Sequence, residues 1–136
     1  MRITESIRFR RLILIVYWVV MFLGTHWPDI DSQAPPRIRA IPHVHKIAHL
    51  CLYCGWMALW GWLLSAGNRR VSRNALLGLC LGGAAWGAFD ELTQAFIHGR
   101  SPGVIDWTFD LLGLLAGAVV VAWLDRRRTP AFVTQA

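Results

Sequence analysis

The stretch "GLCLGGAAWGAFDELTQ", residues 78–94, decides how this chain folds. It closes a run of sixteen residues without a charge, Asn74 to Phe89, and then sets Asp90 and Glu91 side by side with an amide at Gln94. A helix that crosses a bilayer needs about 20 apolar residues. The run from Asn74 approaches that length only if it takes in both acids and continues to about Phe96.

The composition favours a membrane setting. The chain has 136 residues, 55% of them hydrophobic, with eight Trp and a positive mean hydropathy, which is enough for one domain and too apolar for an ordinary soluble one. The net charge of +6 does not point to nucleic acid, because the arginines lie in short clusters between apolar runs. Three more runs are bounded by charge: Leu12 to Pro28, Ile47 to Asn68, and the segment from Val104 to Leu124, which carries Asp106 and Asp110 in its first turns. The expected fold is all-α: a single-domain, four-helix transmembrane bundle over 1–136, with helices at about 12–28, 46–67, 74–97 and 104–125. Between the first two, "QAPPRIRAIPHVH" holds three prolines that oppose regular helix.

Orientation follows from arginine, since basic residues in short loops resist translocation. Arg2, Arg8, Arg10, Arg11, Arg69, Arg70, Arg73, Arg126, Arg127 and Arg128 fall on one side, against Arg37, Arg39, Lys46 and Arg100 on the other. Both termini are expected in the cytoplasm. "FLGTHWPDID" lacks a small-x-small cleavage pattern, so the first run reads as an uncleaved helix rather than a signal peptide.

This topology gathers the polar residues in the outer half. Lys46, His49 and Tyr53 stand at i, i+3 and i+7 on one stripe; Asp106, Asp110, Gly113 and Gly117 stand at i, i+4, i+7 and i+11 on another. Gly83 and Gly87 precede Asp90, Glu91 and Gln94 on a third. Ionisable groups at membrane depth cost a few kcal/mol each unless they face a partner, water or the bundle interior. Small residues one turn apart let helices approach closely. The glycine stripes are therefore expected to bring the polar stripes together.

These residues carry a resemblance. "HKIAHLCLY", "DELTQAFIHGR" and "DWTFDLLGLLAG" resemble the VanZ-like family of small bacterial membrane proteins. The family pattern has Lys-x-x-His with a downstream Tyr, Glu-x-x-Gln with a following Arg, then Asp and Asn ahead of a glycine. It falls here on Lys46, His49 and Tyr53, on Glu91, Gln94 and Arg100, and on Asp106 with Gly113; Asp110 stands where the family has Asn. The resemblance spans 46–117 and implies a multi-pass protein of the bacterial cytoplasmic (inner) membrane. It also implies an association with low-level resistance to teicoplanin, a lipoglycopeptide antibiotic, but no reaction.

The cluster's own chemistry sets four carboxylates, Asp90, Glu91, Asp106 and Asp110, against two fixed cations, Lys46 and Arg100, with His49 able to change charge. Low dielectric disfavours the two excess negative charges that full ionisation would leave. Two uses fit. The first is an outward-facing pocket for an envelope lipid or lipoglycopeptide-like amphiphile, formed by Lys46, His49, Tyr53, Asp90, Glu91, Gln94, Arg100, Asp106 and Asp110, with Lys46 and Arg100 on an anionic head group. The partner is then an anionic lipid or lipid-linked envelope precursor. The alternative is an intramembrane hydrolase or transferase on a lipid-linked substrate, with Glu91, Asp106 and His49 as candidate acid or base groups. An ion-pair network that only fixes helix packing is the bland counterpart to both.

Neither a metal nor another cofactor is expected. His45 and His49 are spaced i, i+4, but Lys46 stands where His-Glu-x-x-His has its general base and would repel a cation; His43 and His45 are read as loop residues. Cys51, Cys54 and Cys80 lie inside apolar runs and read as small buried side chains, Ser101 as a loop or capping residue, and Trp27, Trp86 and Trp107 as interface anchors. A reporter fused after Arg128 is expected to be active in the cytoplasm and one inserted near Ala34 outside it; the reverse pattern would refute the arginine argument.

Overall fold

The computed structural model of the chain describes residues 3–28, 33–99 and 103–127. Arg2, Asp29, Arg100, Ser101 and Arg128 lie outside them, as does the side chain of Arg39. Among the described residues there are four long helices and no strand: α1 Ile3–Thr25, α2 Val44–Leu64, α3 Arg73–Gln94 and α4 Val104–Arg127. Among the described residues, α2, α3 and α4 are long and apolar enough to cross a membrane by length and composition. Three of the four expected spans meet that criterion; α1 does not, because every 18-residue stretch of it takes in Arg8, Arg10 and Arg11.

Helix α1 begins at Ile3 rather than near Leu12, because its cationic turn is accommodated. The Arg10 guanidinium lies over the Trp62 ring at 4.7 Å and donates to the Trp62 carbonyl oxygen. At the other end α1 stops at Thr25, three residues short of Pro28, whose ring disfavours helix in the residue before it. The described part of the proline-rich connection includes a short helical turn, Pro36–Arg39. His43 then takes a left-handed conformation with φ 56°, which changes the chain's direction before α2. Ser72 caps α3, its Oγ accepting from the Ala75 N–H at 3.2 Å.

The most extensive packing is between α2 and α4. They run parallel: His49 meets Asp110 near one end, and Gly61 meets Val121 near the other. Between these points the backbones touch. A Cβ on Gly113 would collide with the Leu50 carbonyl oxygen and lie 3.1 Å from the Cys54 nitrogen; one on Gly117 would lie 2.8 Å from the Cys54 carbonyl oxygen and 2.7 Å from Met57 Cβ. Helix α3 crosses α4 in the opposite sense, with Gly83 against Leu114 and Trp56, and Gly87 against Asp110 and Trp107. Both expected glycine stripes therefore lie at helix contacts, where dispersion forces act at close range.

Met21, Tyr53, Trp56, Met57 and Leu114 form the core. Helix α1 joins it through Tyr17, which donates to the Leu52 carbonyl oxygen at 2.7 Å. Trp18 stands edge-on to Trp86 at 4.9 Å between ring centroids and to Trp56 at 6.4 Å. Trp86 is thus a packing residue between α1 and α3, not an interface anchor. Trp107 is likewise held between helices, donating to the Ala84 carbonyl oxygen at 2.9 Å, while Trp27 is exposed. The cysteines also differ from expectation: Cys54 and Cys80 are half-buried and Cys51 is exposed; at Cys54 it is the backbone that meets α4.

Gly113→Ala is expected to destabilise the protein by about 1–3 kcal/mol, the range for overpacking, read as a lower melting temperature in detergent. Gly78→Ala, with open space around the added methyl group, is expected to leave it unchanged or slightly raised. Equal melting temperatures for the two variants would refute the backbone contact.

Candidate functional site

The polar ends of all four helices meet at one end of the bundle. α2 and α4 contribute their first turns and α1 and α3 their last ones. His49, Asp90, Glu91, Gln94 and Asp110 are all buried, as is Thr25 from α1. Tyr53, one turn deeper than His49, is 1% exposed.

Two subsets are distinct. In the first, every oxygen of Asp90 has a donor: Thr25 Oγ1 donates to Oδ1 at 3.1 Å, and Gln94 Nε2 donates to Oδ2 at 2.9 Å. His26 adds a ring nitrogen 3.5 Å from Oδ1, and its Nε2 lies 2.9 Å from Thr93 Oγ1. The His26 ring also stacks on Phe22 at 3.9 Å. This subset ties the end of α1 to the end of α3 and is saturated.

The second subset joins three helices and is not saturated. His49 Nδ1 lies 2.8 Å from Asp110 Oδ1 and 3.9 Å from Glu91 Oε1. Glu91 Oε2 accepts from the Gly103 N–H at 2.8 Å, which ties the α3–α4 connection to the site. Glu91 Oε1, Asp110 Oδ2 and the Tyr53 hydroxyl are buried without a hydrogen-bond partner. The last two both border Gly87, since a Cβ there would sit 3.1 Å from Asp110 Oδ2 and 3.2 Å from the Tyr53 hydroxyl. A larger residue here would force one of these groups to shift by a few tenths of an ångström.

Of the residues expected to converge, the structure brings together His49, Tyr53, Asp90, Glu91, Gln94 and Asp110. Asp106 is at the edge, its side chain 19% exposed and one oxygen 3.7 Å from His45 Nε2. His45 therefore belongs to the first turn of α2 and faces an acid rather than standing in a loop; His43 precedes the helix and is exposed. Lys46 departs from expectation, making no ion pair among the described residues. The groups facing the carboxylates are instead His26, His45 and His49, because Lys46 precedes His49 by three residues and lies at the helix entrance. Arg100 lies outside the described residues. Thr25, His26 and Thr93 were not expected in the site. The polar pair Thr25–His26 at the end of an apolar run was the available signal, and it matched the acids closing the third run.

The groove of about 300 Å³ beside the site is bordered by Ala88, Glu91, Leu92, Gly103, Val104 and Trp107. Its walls are apolar apart from Glu91, so a hydrocarbon chain in it would end beside a carboxylate.

Removing one member of a desolvated ion pair leaves the other uncompensated, at about 3–5 kcal/mol. Asp110→Ala and His49→Ala are therefore expected to lower the melting temperature and the folded yield far more than Asp106→Ala, whose side chain is 19% exposed and stands 3.7 Å from His45. Equal tolerance at the three positions would refute the division between interior and edge.

The family model described as VanZ/LLP1 matches residues 4–125, which takes in nearly all of the four helices. No curated protein and no solved structure matches the chain.

Proposed function

The chain belongs to the VanZ/LLP1 family, and from that premise we propose that it is an envelope protein of the inner membrane that holds the polar end of an amphiphile at the joined ends of its helices. Helix α1 completes a four-helix bundle in this reading, with both termini in the cytoplasm and the site facing outward. The observation that carries it is the position of Glu91, buried in a polar cluster on one side and bordering an apolar groove on the other. Such a junction between polar site and hydrocarbon-sized groove suits a lipid or a lipoglycopeptide-like molecule, whose head and tail need those two environments.

An anionic head group fits the cations. Lys46 is not neutralised by the carboxylates among the described residues, so its ammonium is available at the site entrance. Arg100 follows α3 in the sequence and offers a planar fork matched to phosphate or carboxylate.

A second reading rests on the 2.8 Å contact between His49 and Asp110. A carboxylate on Nδ1 fixes the imidazole tautomer and leaves Nε2 basic, as in hydrolytic sites. In this alternative the protein is an intramembrane hydrolase or transferase on a lipid-linked substrate, with His49 as general base and Glu91 or Asp106 as acid.

The test is thermal shift of the detergent-purified protein with a polyprenyl phosphate, with lipid analysis by mass spectrometry after incubation. Stabilisation by several degrees that falls in Lys46→Gln and Arg100→Gln, without new product, is expected. Undiminished stabilisation in both variants would exclude the head-group role. Product that disappears in His49→Ala would favour the enzyme instead.

A further inference from the structure

We propose that His49, Glu91 and Asp110 form a binding site for one divalent cation of the zinc or manganese class. Each residue offers a ligand atom, one from each of α2, α3 and α4, and the three atoms lie within 4.8 Å of one another, all in buried side chains. Donors around a cation at about 2.0–2.2 Å stand roughly 3.4 Å apart. The separations of 2.8 Å and 3.9 Å from His49 Nδ1 to its two acids bracket that value.

The unpartnered groups point the same way. Glu91 Oε1 and Asp110 Oδ2 are buried without a donor, and so is the Tyr53 hydroxyl, 1% exposed beside Asp110 at the Gly87 notch. Buried carboxylate oxygens in folded proteins generally have a partner; here the unpartnered ones at Glu91 and Asp110 belong to the same three-residue group. Asp90, whose two oxygens both have donors, is excluded from the ligand set, and Asp106, although its Oδ1 is also buried without a partner, is not in the group whose ligand atoms lie within 4.8 Å.

Charge supports the assignment. Two carboxylates and a neutral imidazole carry two negative charges, which one divalent cation cancels, whereas Lys46 does not reach them among the described residues. One imidazole with carboxylate oxygens is a donor set for zinc, manganese or iron rather than for soft ions, and no cysteine belongs to it. The zincin-like pair His45 and His49 is not the basis of this site, because His45 turns to Asp106. The cation replaces the proton held between His49 Nδ1 and Asp110 Oδ1, so binding releases a proton and weakens as pH falls.

Cation binding requires no lipid, so it stands or falls separately from the amphiphile reading. The experiment uses tag-free protein in detergent, incubated with Zn²⁺ or Mn²⁺ alone, desalted, and analysed for metal by mass spectrometry. Wild type and Gly78→Ala, a change in open space far from the site, are expected to retain about one equivalent, while His49→Ala and Glu91→Gln lose affinity by at least the roughly ten-fold that loss of even an outer-shell partner costs. If the variants do not fold, wild type decides: its melting temperature drops with a chelator and recovers when the ion is returned. Failure of wild type to retain either ion, or equal retention by the His49 and Glu91 variants, overturns the site.

Discussion

The direct backbone contact between α2 and α4 is the constraint on which the remaining structure depends. Gly113 and Gly117 face the Leu50–Cys54 stretch of backbone with no side chain between. This close approach allows the short Asp110 side chain to meet His49 at 2.8 Å. A separation increased by one methyl group would put the imidazole out of reach of the carboxylate. The same approach closes the core over Met57, which is fully buried. In hydrocarbon, where apolar surface has no water to leave, contact of this kind holds helices together better than bulk does.

The polar end is a joint with unequal halves. Around Asp90 both oxygens have a donor, Thr25 and Gln94, with His26 3.5 Å away, and the effect is to fasten α1 to α3. Around Glu91 and Asp110 some capacity is left over, and this side borders the groove. A saturated network beside an unsaturated one is what a fold with both a scaffold and a site requires. The first half fixes the geometry in which the second can remain incomplete, since unpaired buried groups persist only where the surroundings hold them.

Much of this was legible in the primary structure, for a physical reason. Charges at membrane depth are costly enough that Asp90, Glu91 and Asp110 had to face inward, and glycines one turn apart marked the surfaces that would meet. The counter-charges were not legible. Lys46 looked like a partner by type and stripe, but periodicity does not tell how far along the helix axis a long side chain reaches, and histidines took its place. Thr25 and His26 were missed because their hydrogen bonds cross 65 and 67 residues of chain, a separation no local pattern encodes. The start of α1 was misplaced for a related reason: its cationic turn is stabilised by Trp62, on another helix. Tryptophans were ambiguous because the same amphipathic ring suits a membrane interface and a helix-helix contact.

The parallel pairing of α2 with α4 has a consequence for biosynthesis. Of the four described helices α4 is made last, so at the end of α2, Leu64, synthesis is still 40 residues short of the start of its principal partner at Val104, at ordinary rates of synthesis a delay of a few seconds. Throughout that interval the flat backbone of Leu50–Cys54 and the imidazole of His49 have no Gly113 or Asp110 to meet. Assembly of this end of the molecule is therefore a late, concerted event rather than a sequential one. A nascent chain arrested before Val104 would present α2 with a vacant face to quality-control proteases or to the insertion machinery.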